Sequence, residues 1–325
     1  KQHRLLKFQI LYSLINNDIN IERASTEFSY LAQATVELVL QIIKTKIYNS
    51  KKIKCENFCI VAYGRFGTFT MTANSDLDLV FIYEEEDDKK TYLEIFRQLI
   101  NILSTKTPEG ILYEVDTKLR PLRNRGPVAC TYKNFENYHT HKSFSWEKLA
   151  LKKTRVITDS KFSIKISKLL DKLNAYPISD KEVANEILKM RININENKED
   201  TKNLKKKFLP KWFETKYVAG GQRDIEFLKF FYEKDSNLID QHEKDKKLLL
   251  FKRIENLFFK LDQIVNICFK EKKQSNLPNG AISLLISETN EKDFGTVKAN
   301  INQGKIDIFN ILNLILESNK NLLKQ

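Results

Sequence analysis

The sequence is sparing with the residues that staple, bend or loosen a chain. Its 325 residues include only four cysteines, nine glycines and six prolines. Cys55, Cys59, Cys130 and Cys268 show no Cys-x-x-Cys spacing. That argues against a zinc site, and a chain this long has no need of a disulfide framework. So little glycine and proline leaves no material for long flexible linkers. No apolar run reaches membrane-spanning length and no signal-peptide pattern opens the chain. A cytoplasmic protein with no membrane partner is therefore expected. There is no internal repeat and no low-complexity tract. The first residue is Lys1, not methionine, so a piece of a longer polypeptide is expected.

What is present is globular. Apolar residues make up 42% and charged residues 30%, an ordinary balance with room for two domains and a sizeable core. The net charge of +13 attracts polyanions such as nucleotides, nucleic acids or acidic proteins. Lys, Asn and Ile are heavily used throughout, the mark of an AT-rich coding bias. The charge by itself therefore identifies no partner, and no recognisable RNA-binding module accompanies it.

Periodicity divides the chain into three. Residues 1–50 read as a helical lead-in, with Ser25 or Thr26 as a helix start. Residues 51–157 read as a mixed-sheet domain. There "FCIVAYG" is a short strand ending at Gly64, "DLDLVFIY" a second, and "EEEDDKK" a solvated turn. "TYLEIFRQLINILSTKT" places Leu93, Phe96, Ile100 and Leu103 on one helical face, and "GILYEVDTKLR" alternates as a third strand. Residues 158–325 carry repeated amphipathic helical patterns, interrupted at 196–207 by a charged segment read as a loop. The expected class is α+β, with a helical bundle after the sheet domain.

The chemistry concentrates at "NSDLDLVFIY". Residues two apart in a strand share a face, so Asp76 and Asp78 point together while Leu77, Leu79 and Phe81 point into the core. On "GILYEVDTKLR" the same rule groups Glu114, Asp116, Lys118 and Arg120. If the strands are neighbours, Asp116 joins the pair. Three convergent carboxylates do not all stay ionised without a cation. Magnesium prefers oxygen ligands and keeps waters and substrate phosphates in its shell. In "YGRFGT", Gly67 allows backbone amides close to a phosphate and Thr68 adds a hydroxyl. The competing reading is a solvated strand end, which an isolated Asp-x-Asp often is. His139 and His141, two apart, read as surface residues. Phe230, Phe231, Phe258 and Phe259 read as bundle core.

A Gly–hydroxyl pair, a spacer, Asp-x-Asp and a later strand Asp resemble the nucleotidyltransferase superfamily that includes DNA polymerase β. More narrowly, "VAYGRFGTFTMTANSDLDLVFIY", "LYEVDTKLRPLRNRGPVACTYKNFENY", "SWEKLALKKTRVI" and "AGGQRDIEFL" resemble the glutamine synthetase adenylyltransferase/adenylyl-removase family. The resemblance covers essentially the whole chain and is nearer to the C-terminal, adenylylating unit. It implies a polymerase β-like domain with an all-α bundle after it. It also implies transfer of AMP from ATP to a tyrosine hydroxyl of glutamine synthetase by two magnesium ions, with pyrophosphate released. On that resemblance Asp76, Asp78 and Asp116 are the catalytic and metal-binding carboxylates. Gly67, Thr68, Ser75, Lys118 and Arg120 are the nucleotide-binding residues. A PII-type signal protein is an implied partner. The alternatives are the phosphorolytic, adenylyl-removing unit of the same family, for which Arg223 speaks, and a nucleic-acid-modifying nucleotidyltransferase. Glu147 and Arg155 are read as an ion pair or as nucleotide neighbours.

Overall fold

The computed structural model describes residues 1–85, 89–121, 127–187, 212–216, 218–233, 239, 241–269 and 276–318. The charged segment 196–207 and the centre of the turn after Glu85 lie outside the described residues. The chain divides into two compact units, Lys1–Pro177 and Ile178–Gln325.

The first unit is α+β. Helices α1 (Gln2–Ile15) and α2 (Ile21–Lys51) lead into strand β1 (Phe58–Ala62), the short helix α3 (Gly64–Gly67) and strand β2 (Leu77–Tyr83). Helix α4 (Lys89–Ser104), β3 (Val115–Asp116) and β4 (Ala129–Thr131) follow. Then come α5 (Tyr132–His141), α6 (Ser145–Leu151), β5 (Arg155–Val156) and α7 (Lys161–Asn174). The sheet is mixed. β1 runs antiparallel to β2 on one side and to β5 on the other. β3 and β4 both pair in parallel with β2, at its start and its end respectively. Strands β4, of three residues, and β5, of two, are too short for any periodic signal.

β2 is buried on both faces, which accounts for its near-continuous apolar run. Leu79 and Phe81 lie on the face that packs on α4, where the rings of Phe81 and Phe96 stack at 4.6 Å. Val80 and Ile82 lie on the opposite face in a cluster with Val61, Phe135, Ile166 and Leu170. The face that begins with Asp78 is thus open only at its first turn and closes over once Val80 is reached. In α4 the buried residues are Tyr92, Ile95, Phe96, Leu99 and Leu103. Leu93 and Ile100 of the predicted stripe are only half-buried, because the helix also packs on α2 and its apolar face is broader than one stripe.

Three further readings change. α2 starts at Ile21, because the Asn20 side chain caps it by accepting from the Arg23 N–H at 2.8 Å. Ser25 is instead buried inside that helix. The third strand is two residues long, since the chain turns at Thr117, where the Arg120 N–H donates back to the Thr117 carbonyl. His139 is 4% exposed, against Phe135 and Tyr138, while His141 is exposed.

The second unit is helical, with a stretch at 180–187 followed by α8 (Gln222–Glu233), α9 (Lys244–Cys268), α10 (Asn279–Thr289) and α11 (Phe294–Ser318). Phe230, Phe231 and Phe258 are in its core and Phe259 is half-buried. At the head of α8, Asp224 is fully buried and its carboxylate accepts from the Gly220 N–H at 2.7 Å.

Candidate active site

The parallel pairing of β2 with β3 sets Asp78 directly opposite Asp116. Neighbouring strands lie roughly 4.8 Å apart, so the two carboxylates are side by side. The Leu77 N–H donates to the Glu114 carbonyl at 2.8 Å and fixes that register at the strand mouth. Asp76 precedes the strand and joins them: one oxygen of each of Asp76, Asp78 and Asp116 lies within 4.8 Å of the other two. Asp76 is exposed and the other two are half-buried. The three aspartates grouped by strand alternation are therefore brought together.

Lys118 is at the cluster, but by a different route from the one strand alternation suggests. The chain folds back after Asp116, so the Lys118 N–H donates to Asp116 Oδ1 at 2.7 Å and Lys118 Nζ donates to Oδ2 at 2.9 Å. That bond, with Asp76 and Asp78 nearby, raises the Lys118 pKa. Arg120 is held by the chain around it. It is 9% exposed, donating to the carbonyl of Pro127 and to both the carbonyl and the hydroxyl of Thr117. Its guanidinium pins the loop after β3.

Two glycines of the loop are tightly packed. Gly64 has φ +57°, and a Cβ there would lie 2.8 Å from Asp78 Oδ2. Only glycine combines that backbone with that approach. It is the residue that sequence reasoning missed. The available signal was a glycine placed directly at a strand end. Gly67 instead packs against backbone, since its Cβ would lie 2.1 Å from the Lys153 carbonyl and 2.9 Å from that of Ala62. Thr68 is exposed on the loop, its hydroxyl bonded to the Gly64 carbonyl at 3.0 Å and to Thr70 Oγ1 at 2.8 Å. Ser75 shapes the turn before Asp76: its Oγ accepts from the Thr72 N–H at 2.9 Å.

The lead-in helices hold these loops. Ser25 Oγ donates to the Met71 carbonyl at 2.7 Å, and Lys7 Nζ donates to Asn74 Oδ1 at 3.3 Å. The His3 and Tyr113 rings meet edge-on ahead of β3. Glu147 and Arg155 have different partners: Glu147 accepts from the Tyr138 hydroxyl and the Phe144 N–H, whereas Arg155 donates to Phe66 and Gln33.

Chemically, the cluster is an all-oxygen donor set with a compact separation. It suits a hard divalent cation such as magnesium, which takes carboxylates together with waters and phosphates. Among the described residues it is the one grouping of three metal-ligating side chains.

Comparison with known proteins gives the family. The family described as Glutamate-ammonia ligase adenylyltransferase matches residues 2–169, just over half of the chain and the whole of this site. The chain belongs to that family. Curated relatives are described as "Bifunctional glutamine synthetase adenylyltransferase/adenylyl-removing enzyme". That of Bradyrhizobium diazoefficiens is 24% identical over 95% of this chain and 34% of its own length. That of Bartonella quintana is 27% identical over 96% of this chain and 34% of its own. The Brucella suis relative is 32% identical over 69% of this chain and 23% of its own. The chain thus spans about a third of the length of the relatives it matches most fully. Among the described residues no helix is long and apolar enough to cross a membrane.

Proposed function

We propose that this chain is an adenylyltransferase that moves AMP from ATP to a tyrosine hydroxyl of glutamine synthetase. The observation that carries the reading is the cluster of Asp76, Asp78 and Asp116 within a family described by that activity. The phenolic oxygen attacks the α-phosphorus of ATP. A new oxygen–phosphorus bond forms, the bond to the β-phosphate oxygen breaks, and pyrophosphate departs. Magnesium, held by the three aspartates, would supply Lewis-acid stabilisation of the phosphate oxygens and of the attacking oxygen.

The chain's own residues have separable tasks in this reading. A tyrosine hydroxyl has a pKa of ~10, so its proton needs an acceptor. Asp116, on the strand beside Asp78, serves as that acceptor. Lys118, bonded to Asp116 at 2.9 Å, brings positive charge to the departing pyrophosphate, as the ammonium of a flexible side chain can. Gly64 keeps space at Asp78, and Gly67, Thr68 and Ser75 shape the loop over the phosphates. Arg120 acts by holding the loop after β3. A PII-type signal protein as regulator and a cytoplasmic setting belong to the same proposal.

The test is incubation with α-labelled ATP, magnesium and the cognate glutamine synthetase. Label on a tyrosine of the synthetase is expected, and absence of label from active synthetase would overturn the reading. A second direction rests on resemblance alone. Arg223, the residue that resembles the removing half, is held by Glu226 at 3.1 Å. Formation of ADP from adenylylated synthetase and phosphate, without ATP, would assign removal to this chain.

A further inference from the structure

Arg155 has no task in the proposed chemistry, and its surroundings are unusual. It lies on β5 opposite Ala62, one residue before the Tyr63–Gly64 corner. Its guanidinium carbon is 3.9 Å from the centre of the Phe69 ring and 4.9 Å from that of Phe66. Nε donates to the Phe66 carbonyl at 3.0 Å, and Nη1 donates to Gln33 Oε1 of helix α2. Gln33 in turn donates to Glu37 at 2.8 Å. Nη2 is buried without a hydrogen-bond partner.

Phe69 is equally unusual. It has φ +58°, a conformation that costs an ordinary side chain roughly 1–2 kcal/mol. Nothing in a free loop would hold it there. What holds it is a ring contact at 5.3 Å to Tyr30 of α2 on one side and Arg155 on the other. Its neighbours Thr68 and Thr70 bond each other and the start of α3. The loop so clamped runs from Gly64, against Asp78, to Asp76.

An arginine in this position is a poor choice for stability alone. Burial depresses its pKa to about 10, and the unpartnered Nη2 adds a desolvation cost that an apolar side chain would avoid. Strained backbone and unsatisfied polar groups persist where geometry matters more than stability.

From these contacts we propose that Arg155, Phe69, Tyr30 and Gln33 form a clasp that sets the position of the Gly64–Asp76 loop over the nucleotide phosphates. Arg155 is a positioning residue; it acts through the loop rather than on the reacting atoms. The clasp makes helix α2 part of the nucleotide site, although α2 contributes no residue to the aspartate cluster. The inference rests on the adenylyltransferase reading given above.

The test uses Arg155→Lys and Gln33→Met in the full chain. Arg155→Lys keeps the charge but loses the planar stack and the fork. Affinity for a non-hydrolysable ATP analogue with magnesium is measured beside the melting midpoint. About 10-fold weaker binding is expected for each variant, on the order of one lost hydrogen bond to a charged group. The double variant should bind about as weakly as the worse single one, since residues in one network do not add. Phe96→Leu, a core change in α4 where its ring stacks on Phe81, serves as the control: it should lower the melting midpoint and leave nucleotide affinity unchanged. Unchanged affinity in Arg155→Lys, or an equal loss in Phe96→Leu, would overturn the clasp while leaving the adenylyltransferase reading intact. Gln33→Met keeps the test open should Arg155→Lys fail to fold. No nucleotide binding by the unaltered chain would overturn both.

Discussion

Asp76 and Asp78 were legible because a strand has only two faces. Their shared direction follows from backbone geometry before any contact is known. Asp78→Asn and Asp76→Asn should each lower AMP transfer by at least about three orders of magnitude, as loss of a group within a cooperating unit does. Removing one of three mutually repelling charges should also leave the melting midpoint in EDTA equal or higher. Retained turnover in either variant would remove the carboxylates from the proposed chemistry. Gly64 was less legible, because what it faces is decided by Asp78 from another strand. Gly64→Ala forces a β-carbon into φ +57° and to 2.8 Å from Asp78 Oδ2. The expected cost is about 1–2 kcal/mol of stability, with weaker manganese binding by calorimetry as Asp78 turns aside. Manganese affinity equal to that of the unaltered chain would show that this approach has no bearing on the cluster.

At the scale of elements, the long helices and the two full strands could be read from their periods, but their surfaces could not. β2 offers one polar residue, and everything after it is buried on both faces because α4 covers one side and α5 to α7 the other. Helix α5 shows the consequence. Two histidines at i and i+2 cannot share a helix face, and the helix rotates His139 into the core and leaves His141 outside. Burial lowers the His139 pKa to about 4, with Lys148 adding to the effect. Above pH ~6.5 the ring is neutral in both folded and unfolded chains. As pH falls from there to about 4, the unfolded chain takes a proton that the folded one refuses. Stability is therefore lost through that window, by an amount on the order of 3 kcal/mol. His139→Phe should flatten that part of the stability curve in urea titrations between pH 7 and 4, and an unchanged slope would show that other groups carry the acid sensitivity.

At the scale of the whole molecule, the site residues all belong to the first unit, Lys1–Pro177. The second unit has its own core and its own demanding glycine. Gly220 has φ +72°, and a Cβ there would lie 1.8 Å from the Lys305 carbonyl. Gly220→Ala forces that backbone to shift and should destabilise the second unit by several kcal/mol, on the order of a severe steric change. The aspartate cluster should still bind manganese, because Asp76, Asp78, Asp116 and the bonds described around them lie within the first unit. Loss of manganese binding in that variant, with the first unit still folded by calorimetry, would make the second unit a part of the site.

The sequence alone determined the α+β class, the helical character of the C-terminal half and the pairing of Asp76 with Asp78, whereas Asp116 joins them only through the pairing of β2 with β3. The first three follow from periods of two and 3.6 residues, which act over a few neighbouring residues. The tertiary structure decided which glycine faces Asp78, where Lys118 and Arg120 go, that His139 is inside and that Arg155 reaches back to Gln33. Each of these depends on contact between segments far apart in the chain. The Arg155–Gln33 bond joins residues 122 positions apart. Local pattern carries no information about such a meeting, because it is set by how helices and sheet pack and not by the spacing of either residue's neighbours.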